Sequence, residues 1–428
     1  MTQSPTIQRV SQRIVLAMAA MFPENGLYLR DITQAYTQST TKLNRDFYVR
    51  PPRGISQWEG FYLKVVKPLY GVPEAGNHWF GTYQKHHIDK LRTKQSTYDP
   101  CLLSVNEPNY LGIVGLQTDD TLFLANKGFA LAEETELKKA GFMAKERDQL
   151  TVNTPVKFNG GKISLQTDGS ILLTQEAYNK SLRLVQDANA DLIGTRGTIR
   201  HNVSVKDQFI AQRARGNYLA TVSQPEAAFD LSFAAQMTNP GQEETKLLNK
   251  RIQWQIDNSA RGLKFVKLDK NTLRLIVFTD SSFANNRDFT SQIGYIITLA
   301  DHDNNVNILH WSSTKCKRVT RSVLASELYA MSNGFDMAAC IKATVELILD
   351  LTVPLTICTD SKSLYDCLVK LGTTQEKRLM VDLMCLRQSY ERREIADIMW
   401  IDGDSNPADA MTKSNACSAL QEKNHLIA

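Results

Sequence analysis

The chain has 428 residues, 42% of them hydrophobic and 22% charged, with a formal net charge of +5. That length accommodates two or three domains with cores of their own, and the composition is ordinary for globular proteins. No apolar run approaches the ~20 residues of a membrane span, and the opening MTQSPTIQRVSQR lacks the charged-then-apolar plan of a secretory signal. The seven cysteines are scattered without a CxxC, and the seven histidines include the pair His86-His87 but no HExxH. Reduced thiols in an intracellular protein are expected, and a zinc enzyme is not. The mild positive charge permits nucleic-acid binding without requiring it.

Residues 8–22 read as an amphipathic helix ending near Phe22-Pro23, and Leu27–Ile32 as a strand ending in an acid, Asp31. Pro51-Pro52 and Gly71–Glu74 are loop punctuation, and Gly76–Lys90 has helical character. A hairpin follows: the apolar runs around residues 110–114 and 121–125 flank GLQTDD, so two adjacent aspartates, Asp119 and Asp120, fall at its tip. Either this is a solvated turn or the pair holds a divalent cation. Residues 130–140 are helix formers ending at Gly141, and Lys157–Thr174 alternates like paired strands around Asp168-Gly169.

From about 185 to 265 the pattern is mostly helical, clearest at Leu248, Ile252 and Ile256, with Lys246, Lys250, Arg251, Arg261 and Lys264 gathered around it. The texture then changes. Strands are expected at 272–280, 292–299, 306–311, 353–359 and 395–401, helices at 321–350 and 374–393, and a last short helix from Asn406-Pro407. A boundary is placed near 268.

This last stretch presents four acids in order: Asp280 at a strand end, Glu327 in a helix, Asp360 at a strand end and Asp409 in the last helix. Singly, each has a structural reading. Asp360 could cap a helix, and Asp409 suits the third position of a helix whose N-cap is Asn406. Together, strand ends and helix starts at one sheet edge bring acids into one cleft. Four carboxylates without histidine or thiolate make an all-oxygen site suited to Mg²⁺ or Mn²⁺. Two such ions about 3.5–4 Å apart are the standard device for cleaving a phosphodiester in line.

The pieces FTDSSFA, SQIGYIITL, HWSSTKCKRVTRSVLASELYAM, TDSKSLYD and DSNPADAMTK, in this order, resemble the ribonuclease H domain of copia-type LTR retrotransposons over about 275–413. The first half resembles the reverse transcriptase of the same elements, through LRDITQAYTQS, YVRPPRG, KPLYGVPEAGNHWF, YDPCLL and GLQTDDTLFLAN. Tyr218–Pro225 and NKRIQWQIDNSARGL match the connecting region, so the resemblance covers nearly the whole chain. The fold it implies is α/β: an α+β palm-type polymerase domain followed by a ribonuclease H-like domain with a mixed five-stranded sheet. The domains expected are a palm at 1–185, a helical thumb or connection at 186–268, a ribonuclease H-like domain at 269–415 and a tail at 416–428.

The resemblance further implies that Asp31, Asp119 and Asp120 hold two metal ions for RNA-directed DNA synthesis, and that Asp280, Glu327, Asp360 and Asp409 hold two more for cleaving the RNA of an RNA–DNA hybrid. Tyr36 falls where the family keeps an aromatic residue. It is either a ring beneath the incoming sugar, excluding a 2′-OH, or a core tyrosine. Gly71 belongs to the loop that packs on nucleotide and template. The basic loop of Lys315, Lys317, Arg318 and Arg321 is either a solvated charge run or a phosphate contact, and Ser281 and Ser361 are candidates for touching sugar or phosphate. Partners are therefore expected to be RNA–DNA hybrid, primed RNA or DNA template and dNTPs, with no membrane. The location is expected to be the cytoplasm or a virus-like particle, nuclear access being left open.

Two departures are visible. The family's aspartate pair usually follows an aromatic and an aliphatic residue, whereas here it follows Gln117-Thr118, so Gln117 takes the place of a primer- or nucleotide-contacting ring. The match begins at about residue 4, so the fingers segment that family members carry upstream is expected to be truncated and polymerase activity reduced. The alternatives kept beside polymerase plus nuclease are ribonuclease H activity alone, and a catalytically dead protein that still binds nucleic acid.

Overall fold

The computed structural model describes residues 4–194, 197–370, 372, 374, 376–414 and 417–422. Contacts divide the chain into two units, one of residues 1–159 with 346–351, the other of residues 160–345 with 352–428.

The first unit opens with α1 (Arg9–Met21) and β1 (Gly26–Asp31). The sequence suggests an amphipathic helix here, but Val10–Met21 is buried all round, including Arg13. A small hairpin of β2 (Tyr48–Val49) and β3 (Leu63–Lys64) precedes α2 (Ala75–Leu91). Next come β4 (Lys94–Gln95), β5 (Leu102–Glu107), β6 (Tyr110–Gln117), β7 (Asp120–Ala125), α3 (Lys127–Lys139) and β8 (Asp148–Gln149). These build a six-stranded sheet in the order β4-β5-β6-β7-β1-β8. Asn126 caps α3, its side chain accepting from the Phe129 N–H at 2.9 Å, as an N-cap asparagine does. β9 (Val156–Phe158) ends this stretch.

The second unit begins with β10 (Gly161–Leu165) and β11 (Ile171–Thr174), the hairpin expected around Asp168-Gly169. After α4 (Glu176–Asn179) come β12 (Ala190–Ile193) and β13 (Ile199–Val203), a two-stranded ribbon where the sequence pattern suggests helix. Its strands are short and largely exposed, so no apolar periodicity marks them. The helices α5 (Val205–Val222), α6 (Ala228–Ala234) and α7 (Gln242–Asp257) pack around Phe209, Leu219, Leu231, Leu248 and Ile252, with Ile256 partly buried against them. β14 (Leu263–Phe265) pairs with β11.

β15 (Arg274–Ser282), β16 (Gln292–Ala300) and β17 (Val306–Lys315) are antiparallel, and β18 (Leu355–Thr359) and β19 (Asp397–Trp400) add in parallel. The order β17-β16-β15-β18-β19 is a mixed five-stranded sheet, as expected. α8 (Val323–Leu349) is the long helix of the pattern, and α9 (Lys362–Val369) is a helix whose start after Asp360 the sequence leaves open and whose extent the pattern does not mark. α10 (Met380–Glu391) starts later than expected, after a 3₁₀ turn at Lys377–Leu379. The element after Asn406 is a 3₁₀ turn, Pro407–Met411. Of the expected tail, 418–422 form α11 (Ser418–Glu422), while 416 and 423–428 lie outside the described residues.

Among the described residues no helix is long and apolar enough to cross a membrane. All seven cysteines are free thiols.

Candidate active sites

In the first unit, β1 pairs antiparallel with β7 so that Asp31 stands opposite Asp120. β6 pairs with β7 from Gln117↔Asp120 inward, which leaves Thr118 and Asp119 as a two-residue turn. Thr118 has φ +54°, a costly conformation for a β-branched residue. The indole N–H of Trp79, from α2, donates to the Thr118 carbonyl at 2.7 Å and holds that turn. The Ile32 N–H donates to the Asp119 carbonyl at 2.9 Å, tying the turn to the strand that carries Asp31.

The three acids therefore share one sheet edge, and their charges interact. Burial pushes the Asp120 carboxyl up to about 6, and the negative charges of Asp119 and Asp31 add to the shift. Lys145 forms an ion pair with Asp31, and that carboxylate raises its pKa in return. Lysine 145 escapes a motif reading, because only the pairing of its loop with β1 brings it to Asp31.

Tyr36 stacks on Tyr70 with ring centroids 4.4 Å apart, and both phenols are raised, first by burial and then by the charge of Asp119. A Cβ on Gly76 would meet the Ser4 Cβ at 2.8 Å and the Tyr36 hydroxyl at 3.6 Å, so glycine there admits the close approach of α2. Gly71 has φ +96°, a left-handed conformation that glycine adopts freely. Gln117 lies in β6 with its side-chain oxygen buried and unpartnered.

In the second unit, Asp280 lies within β15 rather than at its end, since the strand continues to Ser282. Asp360 follows β18, and Asp409 occupies the third position of the Pro407–Met411 turn. Carboxylate oxygens of Asp280, Asp360 and Asp409 all come within 4.8 Å of one another, and among the described residues no other trio of His, Cys, Asp or Glu does so.

Two glycines permit this convergence. A Cβ on Gly294, the β16 partner of Asp280, would strike the Met411 Cβ at 2.4 Å, so only glycine lets the Asp409 turn approach β15 and β16. A Cβ on Gly334 would stand 3.1 Å from Thr279 and Val277, which fixes α8 against β15. Glu327 lies two turns earlier on α8 and thus on the same face.

Each acid is held by its neighbours. The Ser281 hydroxyl donates to Glu327 Oε1 at 2.8 Å, and the Ser281 N–H donates to it at 3.2 Å. Glu327 Oε2 is buried with no partner. The Thr412 hydroxyl donates to Asp280, and Lys413 Nζ lies 2.9 Å from Asp409 and 4.0 Å from Asp280. Asn406 Nδ2 donates to the Thr279 carbonyl at 3.0 Å and to Asp360 at 3.4 Å, while its Oδ1 accepts from the Ala408 N–H. Asn406 is thus the N-cap expected from sequence.

Asp360 is no cap: Ser361 caps α9, its hydroxyl accepting from the Leu364 N–H at 3.4 Å. Burial raises Asp280, with Asp409 and Asp360 adding repulsion and Lys413 opposing it. Burial, then the charge of Asp280, raises Glu327, and burial raises Asp360. Four crowded acids, one with an orphaned buried oxygen, cost energy to ionise together; a hard divalent cation removes that cost, so the residues fit one.

In the basic loop, Lys315 is paired with Asp288, and Arg318 with Asp382 at 3.3 Å while it lies over the Tyr329 ring. Lys317 and Arg321 are exposed. Thr412 and Lys413 lie inside the Asn-Pro-Ala-Asp-x-x-Thr-Lys stretch that sequence singled out for Asp409 and its cap Asn406, so the motif itself was the available signal.

Asp31 and Asp120 face each other across two strands in the first unit, and Asp280, Asp360 and Asp409 converge in the second, each set offering carboxylate oxygens that suit a hard divalent cation. Residues 1–198 match the family described as reverse transcriptase (RNA-dependent DNA polymerase). The chain is 21% identical over 439 residues to the Transposon Ty1-DR6 Gag-Pol polyprotein of Saccharomyces cerevisiae, covering 96% of this chain and 24% of that protein. The Ty1-MR1 Gag-Pol polyprotein of the same yeast is 20% identical over the same shares. The chain thus spans about a quarter of the length of the curated relatives it matches.

Solved structures similar to it include a foamy viral protease-reverse transcriptase in complex with dsDNA, at 13% identity and TM-score 0.21, covering 88% of this chain and 68% of that one. Another is LC11-RNase H1 in complex with RNA/DNA hybrid, at 17% identity and TM-score 0.26, covering 34% of this chain and 99% of that one. The first 198 residues are thus similar to that family, and the chain is similar to Ty1 Gag-Pol polyproteins along 96% of its length.

Proposed function

We propose that the chain is a retrotransposon-derived enzyme with two phosphoryl-transfer sites: an RNA-directed DNA polymerase built on Asp31, Asp119 and Asp120, and a ribonuclease H built on Asp280, Glu327, Asp360 and Asp409. The observation that carries the reading is the convergence of Asp280, Asp360 and Asp409 within 4.8 Å, beside a glutamate oxygen that nothing else satisfies. Mg²⁺ or Mn²⁺, two ions per site, suits these donors and supplies Lewis-acid polarisation of phosphoryl oxygens together with activation of the attacking water or hydroxyl.

The protein's own part is positioning. Ser281 fixes the Glu327 carboxylate, Thr412 fixes Asp280, and Asn406 ties Asp360 to the turn that bears Asp409. Lys413 offers positive charge beside Asp409, where a phosphate of the scissile strand would lie. Lys317, Arg321 and, once released from their acidic partners, Lys315 and Arg318 would hold flanking phosphates of an RNA–DNA hybrid. In the polymerase, the stacked Tyr36 and Tyr70 would form the floor beneath the incoming dNTP sugar, and Gly71 and Gln117 would face nucleotide and primed template. The domains in this reading are the palm at 1–185, the connection at 186–268 and the nuclease at 269–415, working in the cytoplasm or a virus-like particle.

A labelled hybrid and a primed template with dNTPs, each with Mg²⁺ and with EDTA, test the two activities. Metal-dependent cleavage lost in Asp280→Asn supports the nuclease, and metal-dependent extension lost in Asp119→Asn supports the polymerase. A second reading, ribonuclease H activity alone, rests on a specific observation: among the described residues only the nuclease acids converge as a trio, while Asp31 is engaged by Lys145. It predicts cleavage without extension.

A further inference from the structure

Within the first unit, one face of α2 carries Thr82, Lys85, His86, Asp89 and Lys90, spaced as neighbours along the helix. This face, Lys67, the 3₁₀ turn Ala35–Gln38 with Thr40, and the Ala140–Met143 bend border an open depression of about 550 Å³. Three lysines, Lys67, Lys85 and Lys90, line it against one acid, Asp89. Among the described residues none of these three exposed lysines has an ion-pair partner within 4.0 Å, although Glu136 interacts with the charge of Lys90 and His86. Thr37, Thr40 and Thr82 also line it, the Thr37 hydroxyl donating to the Gln34 carbonyl and the Thr40 and Thr82 hydroxyls bonded to each other.

The wall holds one more unspent group. His86 is only 8% exposed, packed edge-on against Phe142 at 5.2 Å, and its Nε2 has no hydrogen-bond partner. A buried polar atom left unsatisfied costs free energy unless something supplies the missing bond. The floor is also wired to the catalytic strand. Gln38 exchanges hydrogen bonds with the Met143 backbone at 2.7 and 3.0 Å, and the Thr33 N–H donates to the Met143 carbonyl at 2.9 Å. Two residues on from Met143, Lys145 pairs with Asp31.

We propose that this open depression is an anion site that takes a phosphate group, held by Lys67, Lys85 and Lys90 and bordered by Thr37, Thr40, Thr82 and His86. The ligand is either the phosphates of a nucleotide or a backbone phosphate of a nucleic-acid strand; both present the same oxygens to the lysines. The inference rests on the polymerase reading only for the identity of that ligand. Binding measured in EDTA, without turnover, keeps failure of the one apart from failure of the other.

The test is calorimetric titration of the full chain with inorganic pyrophosphate in EDTA. Binding is expected in the unaltered chain and in Asp119→Asn, and is expected to be about tenfold weaker or worse in the exposed pair Lys85→Gln/Lys90→Gln. Competition then assigns the source: displacement by dTTP points to a nucleotide, and displacement by a 5′-phosphorylated oligothymidylate to a strand. No binding, equal binding in the double variant, or loss in Asp119→Asn overturns the site. Displacement by neither competitor marks an adventitious ion only, and overturns it as well.

Discussion

The Ser281 hydroxyl donates to one oxygen of Glu327 at 2.8 Å, and the other oxygen of that carboxylate is buried without a partner. The serine thus aims the acid and leaves its second oxygen for a ligand from outside. Ser281 does not present its hydroxyl to a sugar or phosphate in this arrangement; it acts through Glu327. Ser281→Ala should lower single-turnover hybrid cleavage about tenfold, the scale of one hydrogen bond to a charged group, and weaken Mn²⁺ binding in parallel. Unchanged metal binding would remove the positioning role.

Asn406 makes the corresponding link on the other side of the cluster. It is fully buried and bonds β15, Asp360 and the Asp409 turn at once. Asn406→Ala should cost about 2 kcal/mol in denaturant unfolding, since it strips a cap and leaves a buried carbonyl unpaired. Asn406→Asp, which keeps the cap but adds a fifth negative charge, should fold and yet cleave poorly. Equal cleavage by Asn406→Asp and the unaltered chain would contradict this.

Acid pKa values raised in the folded state set a pH dependence. Asp120 is pushed up to about 6, and Asp280, Glu327 and Asp360 are raised in the same direction. Folded carboxyls raised in this way hold protons more tightly than the unfolded chain. Their contribution to stability is present at low pH and is lost as pH rises through the raised values, near 6 for Asp120. A divalent cation needs the carboxylates and reverses that loss. The melting-temperature increment given by Mg²⁺ should therefore be larger at pH 8 than at pH 6, and should vanish toward pH 5. A constant increment across that range would count against cation binding at these acids.

Beneath Asp31, Arg30 is buried against Glu133 at 2.7 Å and Glu134 at 2.5 Å, and Arg147 reaches Glu133 at 3.5 Å while lying over Tyr28. This network ties α3 to the catalytic strand. Arg30→Met should destabilise the chain by about 3–5 kcal/mol, because it strands Glu133 in the interior. Arg30→Met combined with Glu133→Leu should recover most of that loss in the same denaturation assay.

Much of this was legible in the sequence, and the reasons differ by element. The Asp119–Asp120 hairpin is bounded by short apolar runs separated by a turn-like stretch, and the four later acids fall in or directly beside recognisable strands, a helix and a turn. The ribbon Ala190–Ile193 with Ile199–Val203 was not legible, because exposed two-stranded ribbons bury too little to impose alternation. The all-round burial of α1 hid behind its polar Ser11, Gln12 and Arg13, which are nonetheless interior. Lys145 and Trp79 were beyond reach for another reason. Their roles depend on which loop lies beside Asp31 and Thr118, a tertiary fact that no local pattern carries.

The most direct test is cleavage of a 5′-labelled RNA–DNA hybrid by the full chain in Mg²⁺, beside Asp280→Asn and an EDTA control. The account predicts cleavage of the RNA strand that disappears in both controls while the variant keeps the unaltered far-UV spectrum. Cleavage that survives Asp280→Asn, or no cleavage by a folded chain in either Mg²⁺ or Mn²⁺, would contradict it.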